Sequence, residues 1–299
     1  MTHAPTRPGT RLAAMPRLPL LLVPLLLLAL VACAPVAPSA PPASGSSGFA
    51  SFPLRGDAFV FAARLKVVPN TLDSLIIYIE GDGRIVGPSG LVSANPTPRR
   101  PIGWELALYD PAPAVLYLPR LGQYSNAYPA TSHSQYWTEK RFAPEIVQAT
   151  SRALDAAKAH TQATRLHLVG FSGGGAIACL LAAQRDDVAS LVTVAGLLDH
   201  ATWTRTHGYK PLAGSLNPAD FVHKLLHIPQ IHFYGSQDER IQPEVSAQFL
   251  RLAPFANAQR LPVAVDHNNG WNQAWPTLLT QVIQPLRDHC DSELANPAD

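Results

Sequence analysis

The sequence predicts an α/β protein in which a mostly parallel central β-sheet carries helices on both faces. Three observations lead to this fold class. Short apolar runs alternate along the chain with segments that have the composition of helices. Most of these runs are apolar at nearly every position, as expected for strands buried on both faces of a parallel sheet. The chain has 299 residues, 47% of them hydrophobic and only 15% charged, which suits one large globular domain.

Residues 1–32 are interpreted as an export signal that is not part of this fold. Three arginines precede the apolar stretch LPLLLVPLLLLALVAC, which is short and interrupted by proline compared with a membrane span. Its end, LVAC at residues 30–33, resembles the lipobox of bacterial lipoproteins. That resemblance implies that a peptidase cleaves before Cys33, whose sulfur carries a diacylglyceryl group. Ala34 is not aspartate, which by the same resemblance favours the outer membrane, facing the periplasm.

Two alternatives remain for the N-terminal segment. The protein could be secreted in soluble form after cleavage nearby, or the apolar stretch could stay as an uncleaved anchor. In each case residues 33–50, rich in proline, alanine, serine and glycine, have nothing to bury and predict a tether. The folded domain is then expected over residues 51–299.

Within the domain, seven runs are strand candidates and four segments are helix candidates. The strand candidates are AFVFAARL, SLIIYIEGDG, AVLYLPR, RLHLVGFSGGG, SLVTVAGLLD, PQIHFYGSQD and AQRLPVAV. The helix candidates are KRFAPEIVQATSRALDAAKAH, GAIACLLAAQRD, PEVSAQFLRLA and GWNQAWPTLLTQVIQPLRDHC. Pro276 and Pro285 should divide or kink the last of these helices.

Two stretches interrupt the alternation of strands and helices. Residues 84–113 are rich in proline and glycine, and residues 197–228 lie between two strand candidates, where a small cap is possible. Cys179 lies in a helix-like stretch and is interpreted as a buried apolar residue, so we expect no structural disulfide with Cys290.

Gly170-Phe171-Ser172-Gly173-Gly174 matches the pattern G-x-S-x-G, with a strand candidate before it and a helix candidate after it. In that setting the chain must reverse sharply, which exposes the Ser172 hydroxyl and leaves the Gly173 N–H free for an oxyanion. The stretch lacks the Gly-Lys-Ser/Thr of a phosphate loop and the G-x-G-x-x-G of a dinucleotide site. Ser172 is therefore predicted to be a nucleophile.

With this motif the chain resembles the α/β-hydrolase superfamily, which places its catalytic acid and base later in the chain in the order Ser, Asp/Glu, His. The resemblance implies that Asp238, in the turn after IHFYG, is the acid. Asp199, one strand earlier, is the competing candidate. His267 follows the last strand candidate and precedes the last helix, where the superfamily keeps its general base. Asp266 is its neighbour in an extended segment and should point elsewhere.

The resemblance also implies a second oxyanion donor after an early strand. Glu80-Gly81-Asp82-Gly83 occupies that place, and the Asp82 N–H is the expected donor beside the Gly173 N–H. Glu80 departs from the histidine that many relatives carry here. The Asp82 carboxylate would have to point away from the developing negative charge.

The expected function is that of a serine hydrolase, most readily on carboxylic esters, with a peptidase or a non-catalytic envelope binding protein as alternatives. A cluster of aromatic residues could wall an acyl pocket or simply pack: Tyr124, Tyr128, Tyr136 and Trp137, with Trp203 and Tyr209 in the second interrupting stretch. We expect no metal and no cofactor. A net charge of +2 without a basic cluster in the domain argues against nucleic-acid binding. The natural substrate and the oligomeric state are left open.

Overall fold

The structure is a computed structural model that describes residues 1, 3, 48–68, 73–87, 89–124 and 133–295. The chain divides into two compact units, Met1–Ala37 and Pro38–Asp299. Only residues 1 and 3 of the first unit are described, so the rest of the predicted export signal, Cys33 and the predicted tether up to residue 47 lie outside the described residues. Among the described helices, none has both the length and the apolar character that crossing a membrane requires.

Ten strands are defined in the described part of the second unit. They are β1 (Ala50–Ser51), β2 (Leu54–Gly56), β3 (Phe59–Phe61), β4 (Arg64–Val67), β5 (Ser74–Ile79), β6 (Ala114–Leu118), β7 (Arg165–Phe171), β8 (Val188–Val194), β9 (Gln230–Gly235) and β10 (Ala258–Val263). Eight of them form one sheet in the order β1-β4-β6-β5-β7-β8-β9-β10. The pairs from β6 to β10 are all parallel, whereas β4 runs antiparallel to both β1 and β6.

Seven α-helices are defined among the described residues, five between strands and two after the last strand. They are α1 (Ile102–Ala107), α2 (Pro144–Thr161), α3 (Gly173–Ala182), α4 (His200–His207), α5 (Pro243–Arg251), α6 (Trp271–Leu278) and α7 (Gln284–Ala295). A π-helical turn over Leu279–Ile283 joins α6 to α7. The last helix is therefore continuous but irregular. Proline has no N–H to donate, so Pro276 and Pro285 each lack a regular backbone hydrogen bond of the helix.

Both faces of the sheet are buried, because successive side chains of the central strand β5 enter two different hydrophobic clusters. Leu75 and Ile77 pack with residues of α2, α3 and α5, whereas Ile76 and Tyr78 pack with residues of α1 and α6. This alternation is what a strand with a period of two produces when helices cover both faces. The predicted mostly parallel sheet with helices on both faces is confirmed.

The structure differs from the sequence prediction in three respects. The run AFVFAARL splits, since β3 pairs with β2 in a separate hairpin while β4 joins the main sheet. Strand β10 is only partly buried because it forms the edge of the sheet. The stretches 84–113 and 197–228 contain α1 and α4, and the second stretch contributes Leu212, Val222 and Leu225 to the main core.

Candidate active site

The candidate site residues all follow the carboxyl ends of parallel strands, which meet at one edge of the sheet. Asp82 follows β5, Ser172 follows β7, Asp238 follows β9 and His267 follows β10. Parallel pairing brings these strand ends side by side although the residues lie far apart in the chain. The sheet therefore assembles the site without any contribution from its antiparallel edge.

Ser172 occupies the sharp turn between β7 and α3. Its backbone has φ 51° and ψ −119°, a left-handed conformation that is strained for a residue with a side chain. The turn is held because the Ser172 N–H donates to the Val194 carbonyl at 2.9 Å, and its carbonyl accepts from the Leu197 N–H at 3.0 Å. A Cβ at Gly174 would lie 2.3 Å from the Ile79 carbonyl oxygen, so only glycine permits this approach. The half-buried Ser172 side chain stands at the tip of the turn.

His267 connects the serine to a carboxylate. Its Nε2 lies 3.1 Å from the Ser172 Oγ, and its Nδ1 lies 2.7 Å from Asp238 Oδ2. A carboxylate accepts hydrogen bonds, so Nδ1 carries the proton and Nε2 is left as an acceptor for the serine hydroxyl. The imidazole is 7% exposed and lies against the Phe171 ring, at 5.3 Å between ring centroids.

Asp238 is fixed by the turn that follows β9. Its side chain is fully buried, and Oδ1 accepts hydrogen bonds from the Arg240 N–H at 2.9 Å and the Ile241 N–H at 2.8 Å. One carboxylate oxygen is thus occupied by backbone and the other faces His267 Nδ1. The carboxylate can orient the imidazole because it cannot itself rotate freely.

Asp199, the competing acid candidate, lies elsewhere in the hydrogen-bond network. It caps α4 by accepting from the Ala201 and Thr202 N–H groups, each at 3.1 Å, and it also accepts from the Asn217 amide. Burial would raise the pKa of Asp199, but the hydrogen bonds from Thr202 and Asn217 outweigh it and lower the pKa. The structure therefore brings Asp238, and not Asp199, to His267.

In the loop after β5, the backbone N–H groups of Gly81 and Asp82 differ in whether they have a hydrogen-bond acceptor. The Gly81 N–H donates to Glu80 Oε1 at 2.9 Å. The Asp82 N–H and the Gly173 N–H make no hydrogen bond within the described part of the chain. A Cβ at Gly81 would lie 3.3 Å from the Ser172 Cβ, so this loop runs beside the serine. Asp82 and Gly173 are the backbone donors that the geometry leaves for an oxyanion.

The carboxylate of Glu80, the residue before Gly81, is buried in the protein. It is 1% exposed and accepts from the N–H groups of Gly103 and Trp104, both at 3.2 Å, and from the Tyr117 hydroxyl at 3.0 Å. Burial raises the pKa of Glu80, against the hydrogen bonds that favour its charged form. Glu80 therefore joins the loop after β5 to the first turn of α1.

The Asp82 carboxylate forms ion pairs with two arginines. Arg120 Nη1 lies 2.8 Å from Asp82 Oδ1, and Arg141 Nη1 lies 2.8 Å from Asp82 Oδ2. Burial alone would raise the pKa of Asp82, but the two guanidinium groups outweigh it and hold the pKa below its usual value. The negative charge of Asp82 is therefore neutralised by partners that the sequence did not reveal.

Two further contacts support the candidate site from outside. Arg100 is paired with Glu105 and donates from Nη1 to the Asn268 carbonyl at 3.2 Å, next to His267. Trp203 of α4 donates from Nε1 to the Arg240 carbonyl at 2.7 Å, in the turn that holds Asp238. Asp266 is used locally, since Oδ1 accepts from the N–H groups of the two asparagines that follow His267.

The aromatic residues proposed for an acyl pocket are mostly engaged in packing. Tyr124 and Trp137 are buried, and the Trp137 Nε1 donates to the Ser93 carbonyl at 2.9 Å. Tyr136 contacts Phe59, and Tyr209 contacts Trp203. Tyr128 lies outside the described residues.

Three histidines outside the candidate site are buried. His167 lies inside β7 and His232 inside β9, with hydrogen bonds to Ser190 and Thr193 respectively. His200 is 7% exposed, because it begins α4 and stacks against the Phe142 ring. Burial lowers the pKa of His200, and it lowers the pKa of His232 to about 3.

No group of three histidine, cysteine or acidic side chains suited to a metal ion occurs among the described residues. Cys179 is buried in α3, and burial raises the pKa of its thiol.

Comparisons with known proteins agree with this architecture. A family model described as the alpha/beta hydrolase fold matches residues 131–210, which include β7, the serine turn and α3. Est1E from Butyrivibrio proteoclasticus superposes with a TM-score of 0.57 at 15% identity, covering 80% of this chain and 99% of Est1E. An esterase from Pyrococcus furiosus gives a TM-score of 0.56 at 12% identity, covering 82% and 91%.

A peptidase with a longer chain shares the same architecture. The acylaminoacyl peptidase of Pyrococcus horikoshii gives a TM-score of 0.57 at 12% identity, covering 80% of this chain but only 41% of the peptidase. No curated protein sequence matches this chain. The chain has the α/β-hydrolase fold.

Proposed function

We propose that this protein is a serine hydrolase that acts through Ser172, His267 and Asp238 and forms an acyl-enzyme on carboxylic esters. The observation that carries the proposal is the continuous line of hydrogen bonds from Asp238 through His267 to the Ser172 hydroxyl. A strained, half-buried serine at the start of a helix, in line with a buried histidine and carboxylate, has the geometry of an activated nucleophile.

The first step is a proton transfer. His267 Nε2 takes the proton of the Ser172 hydroxyl while Oγ forms a bond to the substrate carbonyl carbon. The positive charge that develops on the imidazole is stabilised by Asp238 through the hydrogen bond at Nδ1. The carbonyl oxygen becomes an oxyanion, for which the N–H groups of Gly173 and Asp82 are the candidate donors.

The remaining steps return the enzyme to its starting state. The tetrahedral intermediate collapses, the bond to the leaving alcohol breaks, and the alcohol oxygen takes the proton from His267 Nε2. A water molecule then loses a proton to the same nitrogen and attacks the acyl-enzyme. The acid product departs as the Ser172 oxygen recovers its proton. No metal or cofactor is needed for this sequence.

Ester hydrolysis is favoured over peptide hydrolysis by the extent of the matches. The chain accounts for 99% of Est1E and 91% of the P. furiosus esterase, but for only 41% of the acylaminoacyl peptidase. The region shared with this chain is thus nearly the whole of Est1E and of the P. furiosus esterase, but less than half of that peptidase. The three catalytic residues alone do not decide the matter, because the same set serves esters and amides.

The test is a comparison of two substrate classes. Purified protein is given p-nitrophenyl butyrate and, separately, alanine p-nitroanilide, with Ser172→Ala as the control for each. We expect turnover of the ester that Ser172→Ala lacks, and little or no release of nitroaniline. Faster anilide cleavage would make the protein a peptidase, and absence of serine-dependent turnover on both would favour the non-catalytic binding protein.

We propose in addition that Cys33 carries a lipid anchor that holds the domain at the outer membrane, facing the periplasm. One acyl chain gives only reversible membrane binding, whereas a diacylated cysteine makes release slow, at about 0.8 kcal/mol per buried methylene. The wild-type protein should therefore partition into detergent and carry acyl mass on Cys33. Cys33→Ala should yield soluble protein or uncleaved precursor with unchanged esterase activity. An unmodified Cys33 in wild-type membranes would contradict the anchor and leave the hydrolase proposal intact.

A further inference from the structure

Three buried charged groups meet directly behind the candidate oxyanion site. The Asp82 carboxylate lies between Arg120 and Arg141, at 2.8 Å from one nitrogen of each, and the three side chains are only 14%, 8% and 9% exposed. Arg120 also donates to the Arg141 carbonyl and lies over the Phe142 ring, whereas Arg141 donates from Nε to the Thr138 carbonyl. We call Asp82, Arg120 and Arg141 the arginine clamp.

The arginine clamp touches the turn that carries the serine. A Cβ built on Gly173 would lie 2.0 Å from Asp82 Oδ1, so the carboxylate packs directly against the residue after Ser172. Asp82 thus has its side chain against the start of α3 while its own N–H is one of the two candidate oxyanion donors. Gln123 holds the preceding residue of the same loop, donating from Nε2 to the Gly81 carbonyl at 2.8 Å.

The charges of the clamp do not cancel. One carboxylate and two guanidinium groups leave a net charge of +1 at a buried position, which is unfavourable unless an anion compensates it. Glu139 is a further carboxylate that interacts with Arg141, but it is exposed and hydrogen-bonded to Thr138, so solvent screens its charge. An oxyanion at the Gly173 and Asp82 N–H groups would meet this excess positive charge at short range.

We propose that Arg120 and Arg141 are positioning residues of the active site. By holding the Asp82 carboxylate, the two arginines fix the position of the Asp82 N–H. They also outweigh the negative charge of Asp82, so that the clamp as a whole attracts an oxyanion instead of repelling it. This inference rests on the proposed hydrolase function. It also explains why an aspartate can stand beside the oxyanion site at all, since alone its charge would oppose the reaction.

The inference is tested by a double-mutant cycle. An effect of the net charge of the clamp and a purely structural role of the ion pair predict opposite outcomes for the double variant. The clamp carries +1 in the wild type, 0 in Arg141→Gln, +2 in Asp82→Asn, and again +1 in the double variant. With p-nitrophenyl butyrate, Arg141→Gln should lower kcat about tenfold to a hundredfold, less than the loss of a direct oxyanion donor, with KM changed by no more than about twofold. Adding Asp82→Asn should recover part of that loss. A purely structural ion pair would leave the double variant as slow as Arg141→Gln or slower.

Binding of a transition-state analogue supplies a second readout. Phenylboronic acid forms a tetrahedral adduct with an active serine, so its affinity should fall in Arg141→Gln by about the same factor as kcat. Arg120→Gln should behave in the same direction, and it replaces Arg141→Gln if that variant does not fold by circular dichroism.

Arg185→Gln is the matched control. The Arg185 side chain is also 9% exposed and pairs with Asp155 and Asp187, but it lies beyond the C-terminus of α3, about 15 Å from Ser172 along the helix. Its replacement should lower the melting temperature and leave kcat unchanged. Equal loss of kcat in Arg185→Gln, or a kcat within twofold of wild type in folded Arg141→Gln, would overturn the inference. Failure of the hydrolase proposal would look different, because the wild type itself would then show no serine-dependent turnover.

Discussion

At the residue scale, the clearest distinction in the structure is between two buried aspartates near the same sheet edge. Asp238 faces His267, whereas Asp199 faces the start of α4. We predict that Asp238→Asn lowers kcat by about four orders of magnitude with little change in KM, because the amide stabilises the wrong imidazole tautomer. Steady-state kinetics on p-nitrophenyl butyrate measures both constants.

Asp199→Asn is the matched comparison for that prediction. Asparagine also caps helices well, so stability should change by less than the roughly 1 kcal/mol that loss of a cap costs, and kcat should stay near wild type. If Asp199→Asn proved more damaging to kcat than Asp238→Asn, the acid would have been assigned to the wrong residue.

Both aspartates could be located from the sequence because each follows a strand candidate, and the α/β-hydrolase resemblance, with its order Ser, Asp, His, made them the two candidates for the acid. The partners of Asp82 could not be predicted in this way. Arg120 and Arg141 lie 38 and 59 residues further along the chain, in segments without any motif, and only the folded sheet brings them to Asp82. The same holds for Arg100, which reaches a backbone carbonyl 168 residues away.

At the scale of elements, the turn between β7 and α3 combines a strained residue with glycines that have no room for a side chain. Glycine adopts the Ser172 backbone conformation without strain, so we predict that Ser172→Gly is as stable as the wild type or more stable by about 1 kcal/mol, although inactive. Gly174→Ala should instead be destabilised by several kcal/mol, because its Cβ would lie 2.3 Å from the Ile79 carbonyl oxygen. Urea denaturation of the two variants measures both effects.

The two substitutions lie two residues apart and change only one or two non-hydrogen atoms each. The test is whether they change the free energy of unfolding in opposite directions. A marked destabilisation of Ser172→Gly would mean that the serine is held for structural reasons. An unperturbed Gly174→Ala would mean that β5 and α3 do not approach as closely as described.

The strands that the sequence predicted well are those in which nearly every residue is buried, because their sequences are then continuous apolar runs. Strands β5 to β9 are apolar at nearly every position, and amphipathic or alanine-rich helices follow several of them. The short α1 and α4 were missed, because six and eight residues within proline- and glycine-rich or mixed segments give no clear helical period. Their positions depend on tertiary contacts, such as the hydrogen bonds from α1 to Glu80.

At the scale of the whole molecule, buried histidines link stability to pH. Burial lowers the pKa of His232 to about 3, whereas an unfolded histidine has a pKa of about 6.5. Between these values the unfolded state binds more protons than the native state, so stability falls as the pH falls. We predict that His232 alone removes about 2 kcal/mol of the free energy of unfolding between pH 7 and pH 5.

Other buried groups act in the same direction. Burial also lowers the pKa of His167 and His200. Burial would raise the pKa of Asp110, but the charge of Arg287 and the hydrogen bonds from Tyr78 and Ala112 together outweigh it and lower the pKa. This extends the loss of stability below about pH 4. Urea denaturation at pH 7, 6 and 5 measures the slope, and His232→Gln should be less sensitive to pH than the wild type. A stability that is flat or rises between pH 7 and pH 5 would contradict this prediction.

The proposed function requires one reactive atom, the Ser172 Oγ, and covalent labelling of that atom is its most direct test. The purified protein is incubated with a fluorophosphonate, and the product is analysed by intact mass and by peptide mapping. The account predicts a single adduct on Ser172, its absence in Ser172→Ala, and greatly slowed labelling in His267→Ala. An unlabelled wild-type protein, or equal labelling of Ser172→Ala, would show that Ser172 is not an activated nucleophile.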